Sequence, residues 1–200
     1  MKKWFMDHSM SIIISNNPNL TDREKAKLKY GLEGLYLTIT KLFVIFIFAF
    51  ILKIIKETIL LLLIFNGIRF TAFGVHAKRS IDCFISSTLF FVGFPLLCIH
   101  LTIPIFVKLI ISIPIILLIG IYAPADTQKR PLKIKKRRTI YKISSIIIAI
   151  IYIILSILIK DNTLSNCFIF ALVIQVIVIL PITYKIFGVE YNNYKRYETI

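Results

Sequence analysis

The chain has 200 residues, 58% of them hydrophobic, with 25 Lys or Arg against 10 Asp or Glu and a formal net charge of +15. A mean hydropathy of +0.83 exceeds what a soluble domain of this length can bury, which excludes a soluble enzyme and points to an all-α polytopic membrane protein. The basic excess fits anionic lipid headgroups, at about 1 kcal/mol per basic residue near the surface, better than nucleic acid, because no soluble nucleic-acid-binding module is visible.

Met1 to Asn17 contains only a short apolar run, Ser11 to Ile14, after Asp7 and His8, so no cleavable targeting segment is expected. Trp4, Phe5, Ile12 and Ile13 are spaced either for an interfacial helix, with Lys2 and Lys3 at the headgroups, or for a simple lead-in. Thr21 followed by Glu24 is a capping box, which predicts a helix carrying Arg23, Lys25, Lys27 and Lys29 up to Gly31 on the membrane surface.

Six apolar runs follow: Leu35 to Leu52, Thr58 to Phe73, Cys83 to His100, Ile103 to Tyr122, Ile143 to Ile159 and Leu164 to Phe187. Each approaches the roughly 20 residues that cross a bilayer, the second being short and interrupted by Asn66 and Arg69. About six transmembrane helices are therefore expected within one integral membrane domain, 1–200. Its parts are N-terminal cytoplasmic or interfacial helices (1–34), a bundle (35–187) and a basic loop (123–142). With the N-terminus in the cytoplasm, 20 of the 25 basic residues fall in cytoplasmic segments, while Lys53, Lys56, Lys108 and Lys160 fall outside and Lys41 lies within the first span. The positive-inside rule then puts both termini on the cytoplasmic side.

Reactive side chains concentrate between the second and third runs, in R-F-T-A-F-G-V-H-A-K-R-S-I-D-C from Arg69 to Cys83. Of three cysteines, Cys98 and Cys167 sit in apolar runs and read as small packing residues. No disulfide framework or zinc spacing is present, and one His with one Cys leaves a zinc shell two ligands short, so neither metal nor cofactor is expected. Cys83 begins a span behind Lys78 and Arg79, and cations beside a thiol favour its reactive thiolate form. His76 is the histidine placed to act as its base, because His8 is terminal and His100 falls at the other end of the span. The bland alternative is that both are packing or interfacial residues. On one straight helix, residues seven apart are separated by about 10 Å along the axis, too far for hydrogen-bond contact at about 3 Å. The chain must turn between them, at Gly74 and in the polar run Lys78 to Asp82. Arg69 either snorkels to the interface or orients a carboxylate or a substrate carbonyl.

After the fourth run, Lys129, Arg130, Lys133, Lys135, Lys136, Arg137 and Arg138 form a cationic patch, either a topology signal with lipid contact or a dock for an acidic peptide tail. Pro124 and Pro131 should keep this loop from continuing the span. Asp126 is the polar residue here best placed to orient His76 as a third catalytic member, with Asp82, Glu33, Ser80 and Asn66 competing for the role.

The G-V-H-A-K before Cys83, Arg69 five residues before Gly74, and Y-A-P-A-D-T-Q-K-R-P-L-K-I from Tyr122 to Ile134 together closely resemble the accessory gene regulator B (AgrB) family over nearly the whole chain. Many members carry a second glycine before the Gly-X-His, where Phe73 stands here. The resemblance implies an integral-membrane cysteine endopeptidase of Gram-positive quorum sensing. Its substrate would be an AgrD-like precursor peptide with an amphipathic leader, a central signal segment and an acidic C-terminal tail. The enzyme would remove the tail and assist closure of a cyclic lactone or thiolactone autoinducer. By position, Cys83 is then the nucleophile and His76 the general base, with Arg69 and Gly74 supporting the site. A homodimer is the expected assembly. The competing classes are a small transporter or channel lined by Lys41, Arg69 and Gln175, and a non-catalytic membrane scaffold indifferent to the loss of His76 and Cys83.

Overall fold

The computed structural model describes residues 2–17, 20–77, 79–127 and 131–197. The chain divides into two compact units, Met1–Ile47 and Phe48–Ile200.

In the first unit, α1 (Lys2–Asn16) precedes α2 (Asp22–Ile51). The capping box forms as expected: Thr21 N and Oγ1 donate to Glu24 Oε2 at 2.9 and 2.7 Å, and Glu24 N donates back to Thr21 Oγ1 at 3.4 Å. The helix they start does not stop at Gly31. It runs on without a break into the first apolar run, so the expected surface helix and first span are one element of 30 residues. Gly31 and Gly34 adopt no special backbone angle, and neither is followed by a proline that would end the helix.

The second unit is all-helical: α3 (Ile55–Ala72), α4 (Ser80–Thr88), a π-helical turn (Leu89–Gly93), α5 (Phe94–His100), α6 (Ile105–Tyr122), α7 (Lys135–Leu158), α8 (Asn162–Ile179), α9 (Pro181–Ile186) and a 3₁₀ turn (Asn193–Tyr197). Among the described residues, five helical stretches are long and apolar enough to cross a membrane: α2, Ser80–His100, α6, α7 and α8. The second expected span, Thr58 to Phe73, corresponds to α3, which is 18 residues long like α6 and α8 but carries Lys56, Glu57 and Arg69. The third run is one helical stretch assembled from α4, the π turn and α5. The last run breaks at Leu180, where Pro181 ends α8 and opens α9.

Helix α8 is the centre, packing against α3, α5, α6 and α7. Its most apolar stretch is 61% buried, against 22% for α6 and α7, so it has little lipid-facing surface. A close approach joins α3 to α7. Tyr152 donates to the carbonyl of Ile64 at 2.9 Å, and a Cβ at Gly67 would lie 2.2 Å from its hydroxyl. At one end of the bundle Lys108, on the first turn of α6, is buried and donates to Ser165 Oγ at 2.5 Å. Asn166 there donates to the carbonyls of Cys98 and Leu101 at 3.2 and 2.7 Å. Cys98 and Cys167 are fully buried nearby on α5 and α8. At the other end the C-termini of α3, α6 and α8 meet the N-termini of α4 and α7, and the chain there is not helical.

Candidate active site

Seven residues, Phe73 to Arg79, separate α3 from α4. His76 lies in the extended part of this connection and is exposed, whereas Cys83 is half-buried on the first turn of α4, its N–H bonded to the carbonyl of Arg79 at 3.4 Å. The expected break between histidine and cysteine is therefore present, and the two side chains come from different elements. Lys78, one of the cations expected beside the thiol, lies outside the described residues.

The connection is fixed by hydrogen bonds from three directions. Arg69, on the last turn of α3, donates from Nη1 to the carbonyl of Phe73 at 2.6 Å and from Nη2 to those of Gly74 and Val75 at 3.1 and 2.8 Å. Among the described residues, the hydrogen-bond partners of its guanidinium are backbone carbonyls, not a carboxylate. The guanidinium caps a helix C-terminus, where a cation is favoured, and shapes the chain leaving it. From α8, Gln175 Nε2 donates to the same Phe73 carbonyl at 2.8 Å, and the carbonyl of Val178 accepts the N–H of Val75 at 2.9 Å. From the segment after α6, the carbonyl of Ala125 accepts the N–H of Gly74 at 2.9 Å, and the N–H of Ala125 donates to Ala72 at 3.0 Å, forming a parallel bridge between Phe73 and Ala125.

Gly74 has φ +130°, and a Cβ there would lie 2.0 Å from Arg69 Nη1 and 2.8 Å from the Val178 carbonyl. Both the backbone angle and the space demand glycine. Phe73 also has a positive φ, 54° with ψ −140°, a conformation that suits glycine, and its ring packs edge-on against Tyr141 with centroids 5.0 Å apart.

The proline-bounded loop behaves as expected, since α6 ends at Tyr122 and α7 begins only at Lys135. Asp126 is 1% exposed, and its carboxylate accepts from the backbone N–H groups of Leu132 at 3.2 Å and Asn193 at 3.0 Å. It ties the loop to the C-terminal segment. Burial raises the Asp126 carboxyl above its usual range, although the N–H groups of Leu132, Asn193 and Tyr194 and the charge of Arg138 pull the other way. Tyr184, fully buried on α9, shares its hydroxyl between the carbonyls of Ala125 and Asp126 at 2.9 and 3.1 Å.

Of the other candidates for a third member, Asp82 is half-buried beside Cys83 and Ser80 is exposed at the start of α4. Asn66 is exposed and bonds within its own helix to Leu62 at 2.8 Å, and Glu33 belongs to the first unit. A cleft of about 350 Å³ next to the Cys83 turn is lined by Arg79, Asp82, Ile186, Phe187 and Gly188. The first N–H groups of α4 have no side-chain cap, and the N-terminus of a helix accommodates negative charge.

Lys129 and Arg130 of the cationic patch lie outside the described residues, and Lys133 is exposed. Lys135, Lys136, Arg137 and Arg138 form the whole first turn of α7, which holds no acid. Arg138 also stacks on the Tyr194 ring, its Cζ 3.8 Å from the centroid.

Sequence reasoning singled out His76, Cys83, Arg69, Gly74 and Asp126; it did not single out Tyr184, and it assigned Gln175 only to a transport path. A lone glutamine in an apolar span was the available signal for Gln175. Nothing in the sequence distinguishes Tyr184 from the other tyrosines near membrane interfaces.

The profile of accessory gene regulator B matches residues 8–179. An AgrB-like protein of Clostridium acetobutylicum is 34% identical over 189 residues, covering 94% of this chain and 90% of its own. An AgrB-like protein of Listeria monocytogenes is 27% identical over 195 residues, 96% of each chain. Accessory gene regulator protein B of Staphylococcus aureus is 30% identical over 166 residues, 82% of this chain and 86% of its own. No solved structure matches. The two motif blocks, far apart in sequence, meet through the Phe73–Ala125 bridge, and with the match over most of the chain the conclusion is that this protein belongs to the accessory gene regulator B family.

Proposed function

We propose that this protein is a membrane-embedded cysteine endopeptidase of peptide quorum sensing. It removes the acidic C-terminal tail of an AgrD-like precursor and assists closure of the remaining segment into a lactone or thiolactone. The observation that carries this reading is the rigidly held Phe73–Val75 segment, which presents an exposed His76 just before the helix turn bearing Cys83. His76 takes the thiol proton, Cys83 Sγ attacks the carbonyl at the cleavage point, and the N–H groups opening α4, which no described side chain caps, stabilise the oxyanion. The C–N bond then breaks, His76 protonates the departing amine, and a thioester remains on Cys83. Attack by a thiol or hydroxyl of the substrate on that thioester closes the ring and releases Cys83, provided water is kept out. The cleft bounded by Arg79, Asp82 and Ile186–Gly188 provides room for the peptide beside the nucleophile.

The first turn of α7 supports tail docking. Four cations at a helix N-terminus oppose the helix dipole, each by about 0.3–1 kcal/mol when exposed, and an acidic tail relieves that repulsion. Asp126 acts by holding this loop in place. The charge bias puts the termini and the site on the cytoplasmic face of a Gram-positive cell membrane. The transporter alternative is disfavoured because Arg69 and Gln175 are engaged with backbone carbonyls of the chain itself.

The test is cleavage of the cognate precursor by reconstituted wild type, Cys83→Ser and His76→Ala. Loss of tail release in both variants, with a thioester adduct trapped on wild-type Cys83, supports the peptidase. Undiminished cleavage by both variants rejects it.

A further inference from the structure

We infer that Gln175 is a positioning residue of this site, fixing through the Phe73 carbonyl the chain segment that carries His76; the inference rests on the peptidase reading. Gln175 is fully buried about one turn before the C-terminal end of α8, the most enclosed of the apolar helices. Its side chain makes one described hydrogen bond, from Nε2 to the Phe73 carbonyl at 2.8 Å, while its buried Oε1 has no hydrogen-bond partner. An unsatisfied amide oxygen in an apolar interior is a cost. Leucine or methionine would fill similar space without it, so packing alone does not account for a glutamine here. What glutamine adds is the donor.

That donor has a defined geometric effect. The Phe73 carbonyl receives Arg69 Nη1 at 2.6 Å from α3 and Gln175 Nε2 from α8, so it is held between two helices. Val178, three residues after Gln175 and on the same face of α8, accepts the N–H of Val75 at 2.9 Å. Helix α8 therefore grips the segment on both sides of Gly74, where the approach is too close for a Cβ. His76 is the next residue along. Without the Gln175 donor, the Phe73 carbonyl loses its described bond to α8, and the path leading to the imidazole is released from that helix at one of the two anchors described.

The measurement is the pH dependence of Cys83 alkylation by iodoacetamide, mapped by mass spectrometry so that Cys98 and Cys167 do not interfere, together with kcat and KM for tail cleavage. The proteins are full-length wild type, His76→Ala, Gln175→Met, Gln175→Leu and, as a control, Asn166→Leu. Asn166 is also a fully buried amide on α8, bonded to backbone carbonyls at the far end of the bundle. If Gln175 positions His76, both Gln175 variants move the alkylation profile to higher pH, as His76→Ala does. Their kcat falls by about 100-fold, the scale of an ångström-sized misplacement of a catalytic group, with KM little changed. Asn166→Leu lowers thermal stability but keeps the wild-type profile. Gln175 variants whose profile and kcat match wild type overturn the inference while leaving the peptidase standing. Equal shifts for Asn166→Leu and the Gln175 variants also overturn it, because a general loss of packing then explains both. A wild type that cleaves no precursor and whose Cys83 profile is unchanged by His76→Ala overturns the peptidase reading and this inference with it.

Discussion

At Phe73 the usual order of two substitutions should invert. With φ 54° and ψ −140°, a residue bearing a Cβ is strained by about 1–3 kcal/mol, whereas glycine adopts these angles freely. Phe73→Ala keeps that strain and loses the edge-on contact with Tyr141, worth about 0.5–1.5 kcal/mol beyond area burial. Phe73→Gly loses the same contact and relieves the strain, at an added backbone-entropy cost of about 0.5–1 kcal/mol. With strain near the middle of its range, the glycine variant should exceed the alanine variant by about 1 kcal/mol, or about 2–4 °C in Tm for a chain of this size. Circular dichroism during heating of the three proteins in matched detergent micelles measures the order, and tail cleavage checks that the segment still presents His76. An alanine variant as stable as the glycine variant, or more so, would refute the assignment of strain to Phe73.

Gly74→Ala should be far more damaging: its Cβ displaces the Arg69 guanidinium from 2.0 Å, and backbone strain plus one lost charged hydrogen bond total about 4 kcal/mol. A near-complete loss of cleavage with a lowered Tm is expected, and a wild-type Tm would contradict the described geometry. Because burial raises the Asp126 carboxyl above its ordinary 3.8, the folded chain holds that proton after the unfolded chain has released it. Stability contributed by Asp126 therefore falls as pH rises from 3.8 through the raised folded value, and Asp126→Asn should flatten that part of a Tm-against-pH curve. Replacing Lys135 and Lys136 by Gln should raise Tm slightly, by relieving repulsion at the start of α7, while raising KM for the precursor and weakening its salt dependence. A KM unchanged in both respects would assign these lysines to lipid contact alone.

The apolar runs were legible because the bilayer imposes length and hydropathy on every span, and the capping box was legible because Thr21 and Glu24 interact locally. What was lost lay in the charged or interrupted segments. Gly31 suggested an end to the first helix that its backbone angles do not make, and α3 carries Lys56 and Glu57 on its first turn and Arg69 on its last, where the guanidinium holds the carbonyls of the chain that follows. The motif residues could be read, but not their partners. Arg69 was expected to face a carboxylate, a substrate or the interface, and its actual partners are carbonyls four to six residues ahead in its own chain. The bonds described for the Asp126 carboxylate are to N–H groups of Leu132 and Asn193, the latter contributed by the C-terminal segment, and the sequence signalled neither. Periodicity and spacing carry no record of which backbone group a side chain answers.

That omission has a common physical cause. Non-helical backbone at the edge of a bilayer must find its hydrogen bonds within the protein, and this site is built from two such stretches, 73–75 and 123–127. The Phe73 carbonyl is met by Arg69 and Gln175, the Gly74 and Val75 carbonyls by Arg69, and the Val75 N–H by Val178. The Gly74 N–H donates to the Ala125 carbonyl and the Ala125 N–H to the Ala72 carbonyl, and Tyr184 meets the carbonyls of Ala125 and Asp126. The residues hardest to find by sequence, Gln175 and Tyr184, are those that satisfy these groups. The same bonds also do mechanical work, since a backbone with its polar groups paired has few alternative paths. His76 is the first exposed residue beyond this paired segment. If His76 is the general base of the proposed peptidase, its imidazole exchanges protons with the neighbouring helix turn while the chain beneath it stays fixed.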